Sequence, residues 1–297
     1  MTDFHAGFAC FVGRPNAGKS TLTNALVGAK IAITSSKPQT TRHTVRGIVH
    51  RPDAQLVLVD TPGLHKPRTL LGERLNDLVR TTWSEVDVVA LCVPADEPVG
   101  RGDRFIADEI GALKRKHALA VVTKTDLVDK KRLAEQLLAV SQLGDFAEVV
   151  PVSAKSGDQV ELLADLLAKY LPESPPLYPD GELTDEPEQV MVAELIREAA
   201  LEGVRDELPH SLAVVVEEME PREGREDLLY IHAIVFVERP SQKAIVVGSG
   251  GERIKHVGST SRRQIEALLG TKIFLDLRVK VAKDWQRDPR QLRRLGF

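Results

Sequence analysis

The sequence predicts a doubly wound α/β domain followed by a smaller α+β domain, and three observations carry that prediction. From residue 6 to about 171, short apolar runs alternate with amphipathic segments of helical length. A glycine-rich loop, Gly13-Arg14-Pro15-Asn16-Ala17-Gly18-Lys19-Ser20, joins the first apolar run to the first helix. A proline-rich stretch then leads into a region that reads α-β-β-α-α-β.

Strands are expected at 8–12, 47–51, 55–60, 86–93, 118–123 and 148–152. Helices are expected near 19–28, 70–80, 102–115, 130–142 and 158–170. The strands show little apolar/polar alternation, as expected when helices cover both faces of a sheet. Strand 47–51 follows a long loop and is expected to run antiparallel at or near an edge. Ligands of such a sheet lie beyond the C-terminal ends of its strands. Five prolines between Leu171 and Pro187 favour an extended, stiff connector. The expected division is therefore residues 1–171, a linker at 172–187, and a second domain at 188–297 with a basic tail.

Composition describes an ordinary globular chain, 42% hydrophobic and 28% charged over 297 residues. Cys10 and Cys92 fall in apolar strands and read as buried core thiols in a reducing compartment. The start of the chain does not read as a signal peptide, and no apolar run approaches a membrane span. The cytoplasm is the expected location. The net charge of −3 hides an asymmetry. Residues 190–238 carry 4 basic and 12 acidic side chains, whereas residues 239–297 carry 14 basic and 5 acidic. An anionic partner for the C-terminal end is one reading, and a solvated charged face is the other.

Gly13 to Ser20 matches G-x-x-x-x-G-K-S between a strand and a helix. Glycines let such a loop wrap around phosphates with its N–H groups inward, and the helix adds its positive end. Gly13, Arg14, Pro15, Asn16, Ala17, Gly18, Lys19, Ser20 and Thr21 are the candidate phosphate contacts. Lys19 is expected at the β/γ-phosphates and the Ser20 hydroxyl on Mg²⁺. Asp60-Thr61-Pro62-Gly63 follows the strand 55–60. The carboxylate of Asp60 suits the Mg²⁺ shell, and Gly63 offers an N–H to a γ-phosphate.

Thr123-Lys124-Thr125-Asp126 and Ser153-Ala154-Lys155 stand at the ends of two later strands. A carboxylate that accepts from both N1–H and the 2-amino group selects guanine, so Asp126 is the base-reading candidate. Lys124 would cover the ring plane and Ala154 would offer its N–H to O6. Surface charges are the alternative for Lys124 and Asp126 read alone.

In the second domain, residues 188–207 read as a helix, Ser211–Val216 and Leu228–Val237 as strands, and Arg222–Asp227 as a charged turn. Helical segments flank Gly248-Ser249-Gly250-Gly251, and Ile273–Val281 closes the chain's strands. A G-x-x-G between helices is the backbone clamp of KH domains. RNA contacts are expected from Gly248, Ser249, Gly250, Gly251, Arg253, Lys255, Arg262 and Arg263. The Ile/Val run at 245–247 reads as core packing.

Together these segments resemble the Era family of ribosome-assembly GTPases. The resemblance rests on the phosphate loop, on Lys37-Pro38-Gln39-Thr40-Thr41-Arg42-His43, on Asp60 to His65, and on Val237-Glu238-Arg239-Pro240-Ser241-Gln242-Lys243. It implies a P-loop GTPase sheet followed by a type II KH domain. It implies GTP/GDP and Mg²⁺ as ligands, with Thr41 joining Ser20 and Asp60 as a metal contact and acting with Lys19 and Gly63 in catalysis. Residues 29–46 and 61–80 become the two nucleotide switches. Implied partners are the 3′ end of 16S rRNA and the 30S subunit, with peripheral association at the inner face of the cell membrane and no DNA.

Several positions depart from the usual family pattern. Thr123 replaces an asparagine: its hydroxyl can still hydrogen-bond, but the amide's bridge to the phosphate loop is expected to be lost. Leu64 replaces the water-orienting glutamine of many GTPases, which is usual in this family and predicts slow turnover. Ser249 replaces a lysine. Asn16 resembles the asparagine of GTPases that bind K⁺; a simple turn residue is the alternative. A phosphoryl-transferring kinase and an RNA scaffold with structural nucleotide are the competing functions.

Overall fold

The computed structural model describes all residues except 1–3, 36, 38, 39, 65, 66, 68, 114–116, 205–207 and 223. The chain forms two compact units, one of Met1–Thr34, Thr41–Lys66 and Gly72–Asp185, the other of Ser35–Thr40, Pro67–Leu71 and Glu186–Phe297.

The first unit holds six strands: β1 (His5–Val12), β2 (Val45–His50), β3 (Ala54–Asp60), β4 (Val88–Pro94), β5 (Ala118–Thr123) and β6 (Glu148–Pro151). They lie in the order β2-β3-β1-β4-β5-β6. As expected, β2 occupies an edge and runs antiparallel to β3. The other pairings are parallel. Helices α1 (Lys19–Val27), α2 (Leu70–Glu85), α3 (Arg101–Ala112), α4 (Lys130–Ser141) and α5 (Val160–Lys169) complete the alternation. The sheet separates two apolar clusters, one around Leu58, Ala90 and Leu163, the other around Val89, Trp83 and Ile106. Residues Val88 to Val93 are buried without exception, which explains why β4 reads as one continuous apolar run. Cys10 and Cys92 are both free and buried. Burial pushes the Cys92 thiol up to about 12, against the pull of Lys19.

The proline-rich stretch is extended and is strapped to the first unit as far as Asp185. Ala6 donates to the Pro172 carbonyl (3.2 Å), and Ile48 on edge strand β2 donates to Leu183 (2.9 Å). The side chain of Gln55, 2% exposed, accepts from the Leu177 and Tyr178 amides and donates to the Tyr178 carbonyl. Arg46 pairs with Asp185 at 2.9 Å. The strap satisfies edge groups that an unpaired β2 would leave open.

The second unit runs α6 (Glu188–Leu201), α7 (Leu208–Ser211), β7 (Ala213–Arg222), β8 (Arg225–Val237), α8 (Pro240–Val247), α9 (Glu252–Leu269) and β9 (Lys272–Val281). Its sheet order is β7-β8-β9, with β8 and β9 parallel. The expected charged turn at 222–227 is a correction: Arg222 ends β7 and Arg225 opens β8, so most of the described stretch is strand, and Glu223 lies outside the described residues. Gly224, at φ +74°, suits the tight reversal between the two strands. A ribbon with exposed edges tolerates charged residues, so charge alone is a poor turn signal. Within this unit Arg197, almost fully buried on α6, pairs with Glu194 and donates to the Thr40 carbonyl. The basic C-terminal end is folded rather than loose. Trp285 is fully buried, donates to the Ser211 carbonyl at 3.1 Å and stacks on Phe297, ahead of α10 (Pro289–Arg294).

Candidate functional site

The end of β1 turns into Gly13–Gly18 and α1 begins at Lys19. Gly18 adopts φ +86°, and Asn16 sits at φ +62°, a region that Asn tolerates better than most side chains. Lys19 is 6% exposed and curls back over the loop, donating to the carbonyls of Gly13 (3.2 Å) and Arg14 (3.0 Å). Burial lowers the Lys19 pKa, while the charge of Asp60 works the other way.

Asp60 ends β3 and is completely buried. Its Oδ2 accepts from the Ser20 hydroxyl at 2.7 Å and the Thr41 hydroxyl at 3.4 Å, and those two hydroxyls lie 3.0 Å apart. Oδ1 is buried with no hydrogen-bond partner among the described residues. Burial pushes the Asp60 carboxyl up, opposed by the Ser20 bond and the charge of Lys19. Two hydroxyls and one carboxylate are hard oxygen donors, and an orphaned buried carboxylate oxygen marks where a cation would satisfy them. The set fits Mg²⁺, which keeps several waters and needs few protein ligands. Among the described residues no cluster of three His, Cys, Asp or Glu side chains competes with it.

Thr61 is buried and donates to the Phe11 carbonyl at 3.3 Å, with Pro62 buried beside it. A Cβ at Gly63 would lie 3.0 Å from the Pro15 nitrogen and 3.3 Å from Lys19 Nζ, so the bare backbone of Gly63 is packed against the phosphate loop. Leu64 is 8% exposed and belongs to the apolar core. It therefore plugs the core rather than handling water.

Thr123, Lys124, Asp126, Ala154 and Lys155 come together around one cavity of about 230 Å³, which Gly18 and Thr21 also line. Leu22, Leu127 and Val152 supply its apolar wall, which sequence reasoning misses. A signal is present in Leu127, an apolar residue beside the charged tetrad that stays 57% exposed. Ser153 donates to Asp126 Oδ1 at 2.7 Å and accepts from the Ser156 amide at 3.1 Å, which fixes the carboxylate from outside the cavity. Lys124 reaches toward Asp96, 3.7 Å away.

One expectation is corrected here. The bridge from Thr123 to the phosphate loop is not lost: its hydroxyl donates to the Ala17 carbonyl at 2.7 Å. The end of β5 comes close enough that a shorter side chain spans the gap. Arg14 keeps its main chain in the loop. Its guanidinium turns away to Asp103 (2.8 Å) and Glu97 (3.1 Å).

In the second unit Ser249–Gly251 form a single turn between α8 and α9. Ser249, Gly250, Lys255, Arg262 and Arg263 are exposed. Lys255 and Arg262 are seven residues apart and share one face of α9. Arg262 pairs with Glu266 at 3.3 Å, and Arg263 donates to the Ser259 carbonyl at 3.4 Å. Arg253 is turned inward instead and donates to the carbonyls of Ala200 and Glu202 at the end of α6. The run at 245–247 is a further correction. Val246 is fully buried, but Ile245 is 53% exposed on the helix that leads into the clamp.

A phosphate loop, a buried Mg²⁺-type oxygen set and an acidic base cavity on this strand order define a P-loop GTPase domain, here joined to a KH unit. A family model described as 50S ribosome-binding GTPase matches residues 8–124, and a KH domain model matches residues 207–286. GTPase Era of Streptomyces coelicolor is 73% identical over all of this chain and 96% of its own length. GTPase Era of Mycobacterium sp. strain JLS is 67% identical over the whole of both. The chain belongs to the Era family of GTPases. A crystal structure of Era in complex with MgGDPNP and nucleotides 1506–1542 of 16S ribosomal RNA matches with TM-score 0.95 at 34% identity, covering 99% of each chain. A crystal structure of a point variant of Aquifex aeolicus Era bound to GDP.AlF4⁻ matches equally well, again at TM-score 0.95, 34% identity and 99% coverage of each chain.

Proposed function

We propose that this chain is a GTP-hydrolysing switch that binds the 3′ end of 16S rRNA through its KH unit and acts in assembly of the 30S subunit. The observation that carries the reading is the convergence of Ser20, Thr41 and Asp60 beside Lys19, with Asp126 held by Ser153 in a cavity lined by the same loop. The solved relative that holds both MgGDPNP and 16S rRNA supports the pairing of nucleotide with RNA.

In this reading residues 1–171 form the GTPase domain, 172–187 the connector and 188–297 the RNA-binding domain. The loop amides from Gly13 to Ser20 cradle the phosphates, with Thr21 at the rim. Lys19 leaves its two carbonyl partners for the β/γ-phosphates, where its charge offsets the charge that develops on hydrolysis. Ser20, Thr41 and Asp60 would hold Mg²⁺, which would supply charge neutralisation for the phosphates. The amide of Gly63 faces the γ-phosphate, and water is the nucleophile. Asp126 accepts from both guanine donors, Lys124 covers the ring and Ala154 meets O6. With Leu64 committed to the core, intrinsic turnover is slow.

Asn16 would help hold a K⁺ ion, which would supply positive charge to the phosphates. Turnover is then higher in K⁺ than in Na⁺ at equal ionic strength, and Asn16→Ala removes the difference; equal rates for the wild type exclude this part. RNA meets the backbone of Gly248 to Gly251 and the charges of Lys255, Arg262 and Arg263. The protein works in the cytoplasm, with peripheral membrane association resting on family resemblance alone. Among the described residues no helix is long and apolar enough to cross a membrane.

The decisive experiment measures phosphate release from GTP, and the affinity for a 16S 3′-end RNA with GDP and with a non-hydrolysable GTP analogue. Phosphate transfer to an acceptor other than water would indicate a kinase. RNA affinity that ignores the nucleotide would indicate a scaffold.

A further inference from the structure

We infer that Asp103 is a positioning residue for the phosphate loop, acting through the side chain of Arg14. The inference rests on the nucleotide-binding reading of that loop. Asp103 stands in the first turn of α3, far from any phosphate contact in sequence, and is completely buried. Both of its oxygens are used. Oδ2 accepts from the Gly100 amide at 2.8 Å, which caps the helix, and Oδ1 accepts from Arg14 Nε at 2.8 Å. Glu97 holds a second guanidinium nitrogen at 3.1 Å.

Arg14 thus has two separate attachments. Its carbonyl accepts from Lys19 Nζ at 3.0 Å and from the Ala17 amide at 3.3 Å, inside the loop. Its side chain is anchored 89 residues later in the chain. The slot is shaped for it: a Cβ at Gly102 would fall 2.8 Å from Arg14 Cδ. The anchoring segment is itself held from below. Gln136, 1% exposed, donates to the carbonyls of Pro94 (3.0 Å) and Glu97 (2.9 Å). Through Asp96 the same segment also faces Lys124 of the base cavity.

A buried carboxylate with one oxygen on a cap and the other on Arg14 fixes the loop to the framework. Arg14 Nη2 is buried without a partner among the described residues, so removing Asp103 leaves still more of the guanidinium unpaired. A loop freed in this way loses preorganised amides, and that loss appears in nucleotide dissociation more than in association.

The test uses the full chain and a fluorescent GDP, with dissociation followed after excess unlabelled GDP is added. Asp103→Asn keeps an oxygen for the Gly100 cap and removes the charged partner of Arg14. Arg14→Gln breaks the same contact from the other side. Each is expected to speed GDP release about tenfold, the range for one charge-assisted hydrogen bond. The double variant should also be about tenfold faster, not a hundredfold, because both changes delete one interaction. The preference for GDP over ADP should stay as in the wild type. A purely structural role for Asp103 would lower the melting temperature and leave release unchanged. Single variants less than threefold faster than wild type, or effects that multiply in the double, overturn the inference. If Asp103→Asn does not fold, Arg14→Gln alone decides on the same threefold threshold. A wild type that binds no GDP overturns the nucleotide reading as well, whereas normal wild-type binding with unchanged variants overturns only this inference.

Discussion

Replacing Thr123 with valine isolates one hydrogen bond between β5 and the phosphate loop. Valine matches threonine in shape, and a Cβ built on Gly18 would lie 3.5–3.9 Å from Thr123 side-chain atoms, so the wall of the loop is kept. The bond that disappears is the 2.7 Å contact to the Ala17 carbonyl, made by a side chain that is 4% exposed. A buried acceptor left without its donor costs about 1–3 kcal/mol. The Ala17 amide remains tied to Arg14, so only part of the loop is released. The lower half of that range therefore applies, and GDP affinity should fall about five- to thirtyfold, since about 1.4 kcal/mol is one factor of ten. Thr123→Ser keeps the hydroxyl and should stay near wild type. Thr123→Asn should bring no gain, because the bridge already exists. Stopped-flow dissociation of fluorescent GDP, with association measured in parallel, gives the constants. If Thr123→Val binds GDP within twofold of wild type, the bridge contributes nothing and the reasoning fails.

Asp126→Asn should move preference from GTP toward XTP, whose 2-oxo group suits an amide donor; competition among GTP, XTP and ATP reads this, and an unaltered GTP preference removes Asp126 from the base site. Burial raises the Asp60 carboxyl, so in the metal-free protein this group adds stability at low pH that is lost as pH rises through its raised pKa. Protons then compete with Mg²⁺, and the Mg²⁺-dependent tightening of GDP should fade with falling pH before the usual carboxylate range is reached; a Mg²⁺ titration that is flat down to that range refutes it. Ser249→Lys should strengthen binding to a short 16S 3′-end RNA and steepen the salt slope by about 0.7, with base preference unchanged. Gly250→Asp should weaken the same binding at every salt concentration; if it binds as tightly as wild type with the same slope, the clamp lies elsewhere.

What the sequence reveals here is whatever depends on neighbours along the chain. The phosphate loop, its flanking strand and helix, and the residues at the ends of β3, β5 and β6 are all legible, because strand ends bring them to one edge. What escapes depends on distances across the fold. Thr123 reads as a lost bridge because the gap to Ala17, 106 positions away, has no sequence signature. The side-chain anchor of Arg14 escapes because its partner Asp103 lies 89 positions further on, past several strands and helices. Ile245 misleads for a local reason. Successive helix residues point about 100° apart, so three consecutive apolar side chains cannot all face one core. Val246 takes the inward position and Ile245 is left outside. The linker's prolines announce an extended chain, but only the buried amide of Gln55 shows what it is fastened to.

The glycines of the loop between α8 and α9 illustrate how identical residues can carry different duties. At Gly248 a Cβ would sit 2.6 Å from the Cβ of Arg253 and 3.0 Å from its backbone nitrogen. Arg253 in turn caps the last carbonyls of α6, so a side chain at Gly248 disturbs the joint between α6 and α9. Gly248 is therefore demanded by packing, with or without RNA. Gly250 and Gly251 have positive φ, +56° and +80°, and a Cβ at either would meet nothing within 4 Å. Aspartate tolerates the left-handed conformation better than most residues, so Gly250→Asp is compatible with the fold while it places a carboxylate on bare, exposed backbone. Loss of RNA binding in that variant, with the melting temperature nearly kept, reports on the ligand. Loss in a Gly248 variant would report on the hinge with α6. The loop thus holds one glycine that lets the helices meet and a second pair that leaves open space beside the main chain, as the proposed clamp requires.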